Sequence, residues 1–298
     1  MIRKTIQIVA VFLLTGVLTV TAVTTYVMVP DQTISESGGQ TEETGSSESV
    51  TALGLAGKEE VYVTVLGDSI AKGYSGDESI VIEPYSSLAM KQMSAKDKFR
   101  YEIANYAKNG LDSSGMNTKI LTDEQVCDSV EKSDVIFITV GSNDLLNECK
   151  NAVQEILDTD TKFKSADEAL QVLKRSVTEN PLLVLKIIET LEEWDYHTFA
   201  VNWTAMMETI SSLKKDDAWI VVTNIYNPVV NLSIPSTMGR GVENVIINMN
   251  RIIEDYAEKY GYQVADIFNS EVCAHVQPDG LHPDQTGQQI IADQICGE

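Results

Sequence analysis

The side chains of this chain that could do chemistry sit where apolar runs end. Ser69 follows Val61-Tyr62-Val63-Thr64-Val65-Leu66 in the turn Gly67-Asp68-Ser69. Asn143 follows Asp134-Val135-Ile136-Phe137-Ile138-Thr139-Val140 in Gly141-Ser142-Asn143-Asp144. Gly110 lies in the turn-rich stretch Lys108 to Gly115, and Asp279 and His282 lie three apart in Asp279-Gly280-Leu281-His282-Pro283. A serine hydroxyl is a poor nucleophile at its free pKa and needs a base within hydrogen-bond reach. Histidine is the natural base near neutral pH. Its tautomer has to be held by an acceptor, usually a carboxylate, and one turn can bring Asp279 and His282 to the same side. A tetrahedral oxyanion also needs donors. The Ser69 N–H, the Gly110 N–H and the Asn143 side-chain amide would serve. Gly-Asp-Ser alone is an ordinary turn; the three later stretches give it meaning.

These residues need a scaffold that gathers strand ends. The runs at Val61, Tyr101 to Ala107, Asp134 to Val140, Trp219 to Tyr226 and Tyr262 to Asp266 read as strands. Helical stretches separate them, at about Tyr85 to Met93, Asn117 to Glu131, Gly241 to Lys259 and Thr286 to Ile295. Strands alternating with helices predict an α/β domain with a parallel sheet. Ligands of such sheets sit outside the carboxyl ends of the strands. Residues 147–217 read as a long helical insertion, far longer than a crossover needs. Helices of this kind form a lid or groove wall, or simply pack on the sheet. A groove lined by Leu182 to Leu191 and Trp203 to Met207 would favour lipid-like acyl chains, and a shallow groove with exposed aromatics would favour sugars.

Composition narrows the partners. The chain has 298 residues, 43% of them hydrophobic, and a net charge of -22. So acidic a surface argues against nucleic acid and against anionic lipid as electrostatic partners. Arg3 and Lys4 precede an uncharged apolar run from about Ile6 to Val29. That is the pattern of a signal-anchor or export signal, with a length near the ~20 residues that cross a bilayer. Residues 1–30 are therefore expected to be a membrane segment and residues 31–58, rich in Ser, Thr, Glu and Gly, a disordered linker. The catalytic domain, residues 59–298, would be extracellular on a single-pass anchor, or secreted after cleavage behind Ala22. Cys127, Cys149, Cys273 and Cys296 allow three pairings. Proximity in sequence favours Cys127–Cys149 and Cys273–Cys296, with buried thiols as the alternative.

Taken together, Gly67-Asp68-Ser69-Ile70, Asn109-Gly110, Gly141-Ser142-Asn143-Asp144 and Asp279-Gly280-Leu281-His282-Pro283 resemble the four sequence blocks of the SGNH/GDSL hydrolases. Order and spacing agree, and the resemblance runs from about Val61 to Ile295. The family pattern has Leu where this chain has Ile70, a mild change. The insertion and Asn224-Ile225-Tyr226-Asn227-Pro228 look like a Gram-positive, membrane-associated branch. The resemblance implies a three-layer α/β/α flavodoxin-like sandwich and serine-based hydrolysis of carboxylic esters, without metal or organic cofactor. It implies Ser69 as nucleophile, His282 as base, Asp279 as its orienting acid, and Ser69, Gly110 and Asn143 as the oxyanion hole. The chain lacks the Gly-x-Ser-x-Gly elbow of α/β-hydrolases. Its substrate would be lipid-like or an acylated glycan; a deacetylase or acyltransferase of cell-wall polysaccharide is the alternative, and a non-catalytic surface binding module the third reading.

Other polar residues receive plainer expectations. His275 is expected on a surface loop and His197 in a structural or solvent-facing position. Asp68 is expected to bond backbone at its turn. Asp144 is expected to cap the following helix, with a place in the site wall as the alternative. Glu189, Glu192 and Glu193 read as a solvated helix face.

Overall fold

The computed structural model describes residue 55, residues 57–231 and residues 236–297. The expected membrane segment and nearly all of the expected linker lie outside these residues. Among the described residues no helix is long and apolar enough to cross a membrane.

Five strands form one sheet: β1 (Glu60–Gly67), β2 (Arg100–Asn105), β3 (Val135–Thr139), β4 (Trp219–Thr223) and β5 (Tyr262–Ala265). All pair in parallel in the order β2-β1-β3-β4-β5. Strand order reverses between β1 and β3, so their carboxyl ends open the crevice in which such sheets hold ligands. The central strands are apolar on both faces, as burial on both sides requires. Val135 and Phe137 join the core formed with Val61, Val63 and Val65, whereas Ile136 and Ile138 join the core on the other face with Leu66.

Helices cover both faces. On one lie α2 (Tyr85–Asp97) and α10 (Gln285–Cys296), contributing Tyr85, Ala89, Met90, Ile291 and Ile295. On the other lie α3 (Glu124–Lys132), α7 (His197–Leu213) and α8 (Ser236–Asp255), contributing Val130, Trp203, Met207, Val245 and Met249. The short α1 (Ser69–Lys72) follows β1, and α9 (Ala257–Tyr260) precedes β5. Between β3 and α7 run α4 (Ser142–Leu157), α5 (Ala166–Glu179) and α6 (Leu183–Glu192). These three form a small core of their own around Val153, Ile156, Ala169, Leu173 and Ile187.

Several expectations need correction. The helix expected over Asn117 to Glu131 is broken into a π-helical turn, Met116–Ile120, and α3. Asp123 accepts from the Gln125 N–H and so starts a new helix. The helix expected over Gly241 to Lys259 begins earlier, at Ser236, and is interrupted at Tyr256. Trp203, Met206 and Met207 do not line a groove; they are fully buried against the sheet. Cys127 and Cys149 are free thiols, so the Cys127–Cys149 pairing is not formed. Cys127 donates its S–H to the Leu121 carbonyl, and Cys296 directs its own at the Ala89 carbonyl. Glu189, Glu192 and Glu193 are exposed, as a solvated face requires.

Candidate active site

Ser69 owes its position to the way β1 stops. Gly67 brings the end of β1 against β3, and a Cβ there would lie 2.5 Å from the Thr139 carbonyl oxygen. The Asp68 N–H donates to that carbonyl at 3.0 Å. Asp68 then caps α1, its Oδ1 accepting from the Ile70 N–H at 2.8 Å. This leaves Ser69 as the first residue of α1, where a backbone N–H has no acceptor within the helix. Buried Gln288 of α10 holds α1 from the other side by donating to the Ile70 carbonyl.

His282 reaches Ser69 from the far end of the chain. Its Nε2 lies 2.9 Å from Ser69 Oγ, and its Nδ1 lies 2.6 Å from Asp279 Oδ2. Asp279 closes an Asx turn: its Oδ1 accepts from the N–H groups of Leu281 and His282. Burial pushes the Asp279 pKa upward, but those two N–H groups and the His282 ring outweigh it and hold the carboxyl below its ordinary value. The carboxylate therefore stays charged beside Nδ1, and in the tautomer that carries its proton on Nδ1 the Nε2 lone pair faces Ser69. The ring of Tyr74 packs on His282 with centroids 4.4 Å apart. Gln277 ties the two loops together, donating to the carbonyls of Tyr74 and Pro283.

Gly110 and Asn143 line the same pocket as Ser69 and His282, a cavity of about 330 Å³. Gly110 has φ of 75°, the left-handed region that glycine enters without strain. Asn143 is the second residue of α4. Its Nδ2 donates to the Leu111 carbonyl at 3.0 Å and to Asp68 Oδ2 at 3.3 Å. Asp68 is thus more than a backbone cap. It is fully buried, and burial pushes its pKa up to about 7 despite the Ile70 and Ala71 N–H groups.

Asp144 does not cap α4. The N-cap of that helix is Gly141, with no side-chain cap, and the Asp144 carboxylate instead accepts from both the N–H and the hydroxyl of Ser113. Burial raises its pKa to about 6. His197 is exposed, at the start of α7. His275 is half-buried, and its carbonyl accepts from the Asp284 N–H. Sequence reasoning missed Tyr74, the wall residues Leu145, Leu146 and Ile225, and Tyr226, whose hydroxyl donates to the Leu281 carbonyl. Gly73-Tyr74, five residues beyond the serine, offered only a turn signal. Apolar wall residues carry no signal apart from their place just after β3 and β4.

The profile of the GDSL-like Lipase/Acylhydrolase family matches residues 63–295. The spore germination lipase LipC of Bacillus licheniformis is 23% identical over 239 residues, covering 78% of this chain and 93% of that one. The YpmR protein of Bacillus subtilis is 23% identical over 245 residues, covering 80% of this chain and 81% of that one. The fold is shared with the lipase Lip_vut3 from a goat rumen metagenome, at a TM-score of 0.54 and 20% identity, covering 78% of this chain and 94% of that one. With a family match over most of its length and a parallel sheet that opens at the serine turn, the chain belongs to the GDSL-like lipase/acylhydrolase family and is an SGNH-type ester hydrolase.

Proposed function

We propose that Ser69 is the nucleophile of this ester hydrolase, His282 its general base and Asp279 the group that orients the base. The observation that carries this reading is the unbroken line of two hydrogen bonds from Ser69 Oγ through the His282 ring to Asp279. Ser69 Oγ attacks the ester carbonyl as its proton passes to His282 Nε2. The Ser69 and Gly110 N–H groups and the Asn143 amide stabilise the resulting oxyanion. For Asn143, the oxyanion would take the place of the longer of its two bonds, the one to Asp68. The intermediate collapses, the C–O bond to the alcohol breaks, and the imidazolium returns its proton to the leaving oxygen. Water then attacks the acyl-enzyme with His282 again as base, releasing the acid and restoring Ser69.

The pocket supports lipid-like esters over acylated glycans. Its walls at Leu145, Leu146, Ile225 and Pro228 are apolar, and buried sugar hydroxyls would need hydrogen-bond partners there. A fluorophosphonate ester tests the assignment of the nucleophile. One equivalent should inactivate the protein, and peptide mass analysis should place the phosphonyl group on Ser69. A label on any other residue would refute the assignment.

A further inference from the structure

Behind the catalytic loop lies a second cavity, of about 120 Å³, enclosed by the helices between β3 and α7. Its wall is formed by Val153 of α4, Leu170 and Leu173 of α5, Ile187 and Leu191 of α6, and Trp194 just beyond α6. It adjoins the catalytic pocket: Leu145, Leu146, Pro228 and Leu281 line both. Asp279, whose Oδ2 lies 2.6 Å from His282 Nδ1, lines this second cavity as well.

Most of its lining is aliphatic or aromatic, which favours apolar groups. Sugar hydroxyls placed there would lose water without gaining partners. An acetyl group on Ser69 is too short to leave the catalytic pocket and would make no use of the cavity. The geometry points to the cavity as the acyl-chain chamber of this enzyme, fitted to esters of medium-length, unbranched fatty acids. The acyl chain passes Leu145, Leu146 and Leu281 into the space between α4, α5 and α6, and the alcohol leaves toward solvent. This rests on Ser69 as the nucleophile, since the chain is measured from the carbonyl that Ser69 attacks. It also gives the α5–α6 segment a task the sheet does not require: that segment packs on α4 in a core of its own and encloses the chamber.

The test varies the acyl chain with the leaving group fixed. Nitrophenyl acetate, butyrate, octanoate and palmitate are compared on the wild-type full chain, on Ala152→Phe and on Thr190→Trp. Ala152 enters the chamber from α4 and Thr190 from α6, so an effect common to both is not one local repacking. Wild-type kcat/KM should rise by roughly two- to fourfold per methylene until the chamber is full, then fall. Both substitutions should leave the acetyl ester within about threefold and cut the octanoyl ester by more than about tenfold. A flat chain-length profile in the wild type, or equal losses on acetyl and octanoyl esters in both variants, would overturn the chamber.

A second readout does not need turnover. Octanoate is titrated into full-chain Ser69→Ala while tryptophan fluorescence is followed, with Trp194→Phe as the control for the signal. Saturable binding that disappears when Thr190→Trp is added supports the chamber, and the absence of saturable binding overturns it. Failure of the Ser69 assignment is separate: it shows as acetyl-ester hydrolysis that survives Ser69→Ala.

Discussion

At the residue scale the most instructive group is Asp68, which sequence reasoning placed at the turn but could not connect to Asn143. Its carboxyl caps α1 and also holds the amide proposed to bind the oxyanion. Burial raises its folded pKa to about 7, above the ordinary carboxylate value. The folded state therefore binds this proton more tightly than the unfolded chain does. Its contribution to stability is complete below about pH 4 and is lost as pH rises through 7. Asparagine at this position imitates the neutral carboxyl at every pH. Wild type should be as stable as Asp68→Asn near pH 4 and less stable near pH 8, measured by thermal melts across that range. A difference that does not change with pH would show that Asp68 titrates normally. The five residues proposed to do the chemistry could be picked out in the sequence because a strand end, a tight turn and an Asx turn are local events. The contact between Asp68 and Asn143 joins residues 75 positions apart, and no local pattern announces it.

At the scale of elements, the opposite end of the sheet is tied by Asp134. Its carboxylate accepts from the Tyr62 N–H of β1 and from Lys58 and Lys215, while its carbonyl accepts from the Trp219 N–H of β4. Burial pushes the Asp134 pKa upward, yet these donors outweigh burial and leave it below its ordinary value. That stability is present above about pH 4 and is lost as pH falls through the lower folded value. Asp134→Asn should cost about 1–3 kcal/mol at neutral pH in denaturant melts. The gap should close on acidification; a gap of equal size at pH 3 would mean that the charge is not its source. The strands were legible because central parallel strands are continuous apolar runs. Helix boundaries were less so. The break before α3 depends on one side-chain cap, Asp123, within a stretch whose composition is helical throughout. The apolar stripes of α6 and α7 looked alike in sequence, yet α7 packs on the sheet and α6 joins α4 and α5. Periodicity gives the width of an apolar face but not the surface it meets.

For the whole molecule, alternation of strands and helices indicated a parallel α/β sheet, and the observed order places its reversal between β1 and β3. That topology explains how one serine turn, one asparagine turn and a loop more than 200 residues downstream converge: Ser69 and His282 are 213 positions apart, yet joined by one hydrogen bond. The strand order itself was not readable, because the central strands β1, β3 and β4 share one apolar signature that does not say which lies beside which. The net charge of -22 argued against anionic partners but gave no hint of the apolar space beside Asp279. The central claim is that Ser69 carries the ester chemistry, and the most direct measurement is nitrophenyl butyrate hydrolysis by the full chain beside its Ser69→Ala variant. The variant should lose at least about three powers of ten in kcat and keep only what the oxyanion donors and binding supply. A Ser69→Ala protein that hydrolyses the ester at the wild-type rate would contradict the account.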